Sequence, residues 1–431
     1  MSDAPHPASH NSGAPQRPGA MEKTMGWIDE RFPLTETIEY HASKYWAPKN
    51  FNFWYYFGIL ASVVLVNQLV TGIWLTMSYV PSGEGAFASV EYIMRDVEYG
   101  WLLRYLHSTG ASAFFVVVYL HMFRALAYGS YKKPRELLWL FGMAIFIVLM
   151  AEGFFGYLLP WGNMSFWAAQ VIVSLVGAIP FIGPDLMEWV RGDFLISEIT
   201  LNRFFALHVI ALPLVLVALV FLHIVALHHV GSNNPDGIEI KKNKDENGIP
   251  KDGIAFHPYY TVHDIQATVV FLFLFCAIVF FAPEMGGFFL EKPNFEEANP
   301  VKTPEHIVPV WYYLPFYAML RAATYPLLGI DAKFWGLVVM AGAIVVPMAL
   351  PWLDKSPVKS IRYKGLASKI MLAVLVGSFF VLGYLGYVTS TTGRTIAAQF
   401  FTMLYFSYFV LMPWYTRVER TKEVPDRVTM K

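Results

Sequence analysis

The sequence predicts an all-α membrane protein with eight transmembrane helices, and three observations carry that prediction. Of 431 residues, 56% are hydrophobic and 17% aromatic but only 15% are charged, where a soluble domain carries roughly 25%. Eight apolar stretches of 17–28 residues follow one another: Phe53–Val80, Leu102–Ala127, Leu137–Leu159, Phe204–Leu227, Ile265–Ala282, Phe334–Leu350, Ala367–Val388 and Ile396–Trp414. Each is long enough to cross a hydrocarbon layer of ~30 Å. If they alternate in direction, 23 of the 32 Lys and Arg residues fall on one side and 9 on the other, counting those in the end turns. The excess of positive charge puts that side, with both termini, in the cytoplasm. The formal net charge of zero says little here, because position matters and the total does not.

Residues 1–50 are rich in Pro, Ser, Gly and His and lack the apolar core of a signal peptide, so they read as a polar cytoplasmic tail, disordered or lying on a surface. Two outer connections are long, Pro160 to Arg203 and Pro283 to Lys333, and they carry Pro, Gly, Trp and Tyr in place of simple linker residues. Long structured loops tend to be functional. The polar stretch "SNNPDGIEIKKNKDENGIPKDG" after the fourth span suggests a division into residues 51–230 and 231–431. The single cysteine, Cys276, lies inside an apolar run, which excludes an internal disulfide and a CxxCH site for covalent haem.

The second span carries His107 and His121, fourteen residues apart. At ~1.5 Å and ~100° per residue they share a face and stand ~21 Å apart in depth. The fourth span, running the same way, offers His208 and His223. His107 then meets His208 near the outer surface and His121 meets His223 near the cytoplasmic one. One membrane histidine is more often a packing or relay residue, but two depth-matched pairs suit two stacked six-coordinate haems, each taking two axial imidazoles. The first four spans are thus expected to form a bundle around two noncovalent b-type haems. Gly58 and Gly72 in the first span and Gly142 and Gly156 in the third repeat the fourteen-residue interval, as expected if glycines let a flat macrocycle approach the backbone. Arg104 and Arg124 lie one turn outside their histidines, placed for propionates by charge-assisted hydrogen bonds; snorkelling to the interface is the plain alternative. The fourth-span interval is fifteen, with Pro213 inside it, which calls for a kink or a π-bulge to absorb the extra residue.

From about Trp46 to the last span the chain resembles the cytochrome b subunits of ubiquinol:cytochrome c oxidoreductase, respiratory complex III, in the bacterial form. The motifs that carry this are "RYLHSTGASAFF", "GYLLPWGNMSFW", "LNRFFALH", "GSNNPDG", "FHPYYT" and "PVWYYLPFYAMLRA". The fifteen-residue interval is similar to the photosynthetic branch of the family, the fused eight-helix chain to the respiratory branch. The resemblance implies that His107 and His208 hold a low-potential haem, and His121 and His223 a high-potential one. It implies quinol oxidation at an outer site matched by Tyr157, Met164, Ala168, Pro309, Trp311, Tyr312 and Phe316. It also implies quinone reduction at a cytoplasmic site where His228 and Asp264 supply protons. Ubiquinol and ubiquinone are the implied substrates. A Rieske-type iron–sulfur subunit, a membrane-anchored c-type cytochrome, membrane lipid and a second copy of the chain are the implied partners, with no role for nucleic acid. The implied location is the bacterial inner membrane.

The chain departs from the family where Val310 in "PVWY" replaces the usual proton-accepting glutamate; Glu305, five residues earlier, is the candidate replacement. Ala168 stands for a usual glycine, which suggests weaker inhibition by methoxyacrylates, and His263 for a usual lysine. Two rival readings are a dihaem anchor of a membrane dehydrogenase or ascorbate-type cytochrome, which would not need the two long aromatic loops, and a histidine-relay transporter, which would be colourless.

Overall fold

The computed structural model describes residues 19–41 and 44–430. Of the expected tail, residues 1–18 and 42–43 lie outside them; the described part includes helices α1 (Ala20–Asp29) and α2 (Leu34–His41). The membrane helices then follow: α3 (Phe57–Thr76), the short α4 (Gly85–Arg95), α5 (Gly100–Tyr128), α6 (Glu136–Leu158), the loop helices α7 (Asn163–Val176) and α8 (Gly183–Arg191), and α9 (Glu198–Val230). The second half holds α10 (Phe256–Phe281), the short α11 (Leu314–Ala322), α12 (Ala332–Leu353), α13 (Leu366–Tyr387), α14 (Thr392–Val410) and α15 (Met412–Val418).

Seven of these are long and apolar enough to cross a membrane, and the pair α14 and α15, bent by 55°, is the eighth candidate crossing. Pro413 explains the break. It stands in the first turn of α15, where its missing N–H costs nothing, whereas inside a continuous helix it would remove a hydrogen bond and clash with the preceding turn. The fourth and fifth crossings begin six and nine residues before the apolar stretches that announced them. Their opening residues carry Glu198, Asn202 and Arg203 in the one and His257, His263 and Asp264 in the other, so the apolar stretches start late.

In the first half α3 packs on α5 and α6 on α9, and α5 approaches α9 through the rings of His107 and His208 and of His121 and His223. In the second half α11 lies among α12, α13 and α14. The approach there is close enough that a Cβ on Gly386 would stand 2.2 Å from the Leu314 carbonyl oxygen. A two-stranded antiparallel sheet, β1 (Trp46–Pro48) with β2 (Gly253–Ala255), ties the start of the chain to the connection before α10. Helix α9 is not regular. Residues Leu207–Ala211 form a π-turn, closed by a hydrogen bond from Leu212 N–H to the Leu207 carbonyl. That i→i+5 turn takes in one extra residue, as the fifteen-residue interval requires. Pro213, just beyond it, has no N–H to give to the carbonyl four residues back.

Candidate haem and quinone sites

The four histidines meet in the two expected pairs. The ring centres of His107 and His208 are 6.1 Å apart, and those of His121 and His223 are 6.4 Å apart. Two metal–imidazole bonds of ~2 Å, with about 1.1 Å from each nitrogen to its ring centre, need roughly 6.2 Å. Each gap therefore fits one iron and no second imidazole contact.

The hydrogen bonds set the tautomers at the outer pair. Thr71 Oγ1 gives its proton to the Asn67 carbonyl at 2.6 Å, so it can only accept from His107 Nδ1, 3.0 Å away. His208 Nδ1 lies 3.0 Å from both the main-chain carbonyl and the Oε1 of Glu152. With both Nδ1 atoms donating, each Nε2 lone pair is free to ligate. At the inner pair, Arg124 Nη2 stands 3.4 Å from His121 Nδ1 and its guanidinium lies over the Tyr55 ring. Arg104 lines the outer cavity beside His107. Arg203 hydrogen-bonds the Trp189 carbonyl.

The four glycines share one kind of neighbour. Each one faces a histidine: Gly72 meets His107, Gly58 His121, Gly156 His208 and Gly142 His223. A Cβ at Gly156 would lie 2.3 Å from His208 Cε1, and at the other three 3.2–3.3 Å from the corresponding atom. The glycines are notches that let the imidazoles sit back against the neighbouring helix.

A cavity of about 240 Å³ runs from the outer histidine pair to the long loops. It is lined by His107, His208, Glu152, Tyr157, Val310 and Tyr312, among mostly apolar neighbours. Tyr312 is stacked on Phe115 at 3.8 Å, and its carbonyl accepts from Tyr119. Trp311 donates to Ser112 Oγ, with half-buried Pro309 beside Val310. Met164, Ala168 and Phe316 are buried but do not line the cavity. The two long loops are one structure: Asn163 N–H donates to the Glu296 carbonyl, and Asn163 Oδ1 accepts from Asn299 N–H.

Glu305 is exposed and off the cavity lining. The carboxylates that reach this region are ones sequence reasoning missed. Glu152 borders the cavity; a lone acid in an otherwise uncharged span was a visible signal. Glu291 accepts a hydrogen bond of 2.9 Å from Tyr157, and nothing in the sequence set it apart from other loop acids.

At the opposite end of the bundle from this cavity, His228 packs against Tyr45 at 4.7 Å, and Tyr45 and Ser232 share a hydrogen bond. Tyr45 also packs on Phe256 at the head of α10, the helix that carries Asp264 and His263 two turns further on. His263 Nδ1 is held by the Tyr259 carbonyl at 2.8 Å.

Comparison with known proteins agrees with this architecture. A family model described as cytochrome b/b6/petB matches residues 42–231, and one described as cytochrome b (C-terminal)/b6/petD matches residues 297–406. Cytochrome b of Allochromatium vinosum is 60% identical over 414 residues, covering 95% of this chain and 99% of that one. Cytochrome b of Rhodospirillum rubrum is 46% identical, over 94% of this chain and 96% of that one. A solved structure, a hyperthermophilic respiratory complex III, superposes with a TM-score of 0.83 at 36% identity, covering 92% of this chain and 99% of that one. The chain is a multi-pass membrane protein and belongs to the cytochrome b family.

Proposed function

We propose that this chain is the dihaem quinone-site subunit of a quinol:cytochrome c oxidoreductase in a bacterial inner membrane, with both termini in the cytoplasm. It oxidises ubiquinol at the outer face and reduces ubiquinone at the cytoplasmic face, and so contributes to a proton gradient. The observation that carries this reading is the pair of imidazole gaps, 6.1 and 6.4 Å wide, at two depths of one bundle.

His107 and His208 would hold the low-potential haem, and His121 and His223 the high-potential one. Bound there, two haems supply one-electron carriers at the two faces. The chain's own residues do the rest. Thr71 and Glu152 fix the outer imidazoles, while Arg104 and Arg124 offer positive charge beside the two sites. The aromatic, largely apolar cavity from Tyr157 to Tyr312 suits a quinone ring with few polar contacts. At the cytoplasmic end His228 and Asp264 would supply the protons that quinone takes up on reduction.

With one cysteine and no covalent haem motif, the chain needs a Rieske-type iron–sulfur subunit and a membrane-anchored c-type cytochrome to complete the reaction. A homodimer is the expected assembly. A redox-titrated optical spectrum of the purified complex tests the reading. Two b-type bands with different midpoints are expected; one band or none would refute it.

A further inference from the structure

We propose that Glu291 is the carboxylate that takes a proton from quinol at the outer site, the task that Val310 cannot perform. This rests on the functional reading above and deepens it.

The geometry points to Glu291 from three directions. Tyr157, whose hydroxyl donates to Glu291 Oε2 at 2.9 Å, lines the same cavity wall as Val310 and Tyr312. Phe289 and Leu290, immediately before Glu291, line that cavity too. Lys292, immediately after it, is exposed, while Glu291 itself is half-buried. The hydrogen-bonded pair of Tyr157 and Glu291 thus leads from the cavity lining toward the exposed loop. Val310 is 3% exposed and carries no proton-accepting group. Glu305 is exposed and off the cavity. Glu152 lines the cavity, but its Oε1 is engaged by His208 Nδ1 in the membrane interior.

The titratable groups that act on Glu291 are the hydroxyls of Tyr157 and Tyr312. Burial pushes its carboxyl up to about 7, with hydrogen bonds from its own backbone N–H and from Tyr157 pulling the other way. A group titrating near the working pH can both accept a proton and release it.

A quinol O–H bond breaks and its proton passes to Tyr157, which gives its own hydroxyl proton to the Glu291 carboxylate. The electron released with it would be taken by the one-electron carrier that His107 and His208 would hold. The other electron and proton leave toward the iron–sulfur subunit. Glu291 then releases its proton to the outer aqueous side.

The test is the rate of b-haem reduction by ubiquinol in the purified complex, measured from about pH 5.5 to 9 with haem content read from the same spectra. In the wild type the rate is expected to rise through about pH 7, as the carboxylate becomes able to accept. Glu291→Gln is expected to slow it by roughly 100-fold and to remove that rising limb while both haems remain. Glu291→Asp is expected to restore part of the rate with a displaced limb. A wild-type rate and profile in Glu291→Gln would overturn the proposal. So would a limb kept in Glu291→Gln and lost in Glu305→Gln. Should the glutamine variant not assemble, an unchanged profile in Glu291→Asp overturns it. A wild-type complex with both haems that quinol cannot reduce would overturn the functional reading itself.

Discussion

A methyl group on Gly156 would lie 2.3 Å from His208 Cε1, while one on Gly142 would lie 3.3 Å from His223 Cε1. The first distance is one that real Cβ atoms do not show, and the second asks for a shift of a few tenths of an ångström. Overpacking of this kind costs about 1–3 kcal/mol, and at Gly156 it falls on an imidazole already fixed by Glu152 at its other nitrogen. Gly156→Ala is therefore expected to lower haem content toward one per chain with loss of the low-potential band. Gly142→Ala is expected to keep two. Haem per protein in the two purified complexes checks this, and equal values would refute it. The fourteen-residue glycine interval was legible in the sequence because it repeats that of the histidines in α5. Its purpose was not, since periodicity gives depth and facing but not which ring a notch receives. Glu291 and Glu305 show the same limit: both are acids in a loop without period, and only tertiary burial separates them.

At the scale of the element, α9 reconciles an interval of fifteen with a partner helix that uses fourteen. The π-turn at Leu207–Ala211 absorbs the difference, so the ~100° that one more residue would add does not accumulate at His223. Two single deletions separate this account from a merely tolerant helix. Removing Ile210, 58% exposed within the π-turn, should let the helix close regularly and leave both histidines facing their partners. Both b-type bands are expected to persist. Removing Ala218, in the α-helical stretch beyond Pro213, gives the same interval but keeps the π-turn. It turns His223 away by ~100°, and the high-potential band is expected to vanish. Loss of the same band in both variants would show that the π-turn does not set the register. The sequence indicated that an irregularity was needed near Pro213, and the pairing with α5 is what required it.

At the scale of the whole molecule, the helices and their order were legible from apolar length and charge asymmetry, but the joints between the two halves were not. "GSNNPDG" stood in the sequence only as a motif. In the structure its Asp236 is 1% exposed and accepts from Asn50 at 3.0 Å, Arg362 at 3.0 Å, Tyr363 at 2.8 Å and Thr429 N–H at 2.8 Å. One carboxylate thus gathers the start of the chain, the connection after α9, the connection before α13 and the C-terminal segment. Such a convergence joins residues up to 379 positions apart, Asn50 to Thr429, and no local pattern can announce it. Burial alone would raise the Asp236 carboxyl, but the hydrogen bonds from Thr429, Tyr363 and Arg362 outweigh it and hold it below the usual carboxylate range. A depressed value in the folded state means that the stabilisation is present above the unfolded value of ~3.9 and is lost as pH falls through the folded one. Asp236→Asn removes the charge while keeping the shape; with Arg362 part-exposed, the loss is that of charge-assisted hydrogen bonds to a buried carboxylate, and it should destabilise the chain by about 2 kcal/mol near neutrality. Thermal unfolding in detergent, followed by loss of the haem spectrum, is expected to show a lower midpoint for the variant at pH 7. That gap should begin to narrow as pH falls below about 4 and close as it falls through the lowered folded-state value, where the wild-type carboxylate also loses its charge. A gap that stayed constant on acidification would mean that the ion pair and its hydrogen bonds are not what holds the two halves together.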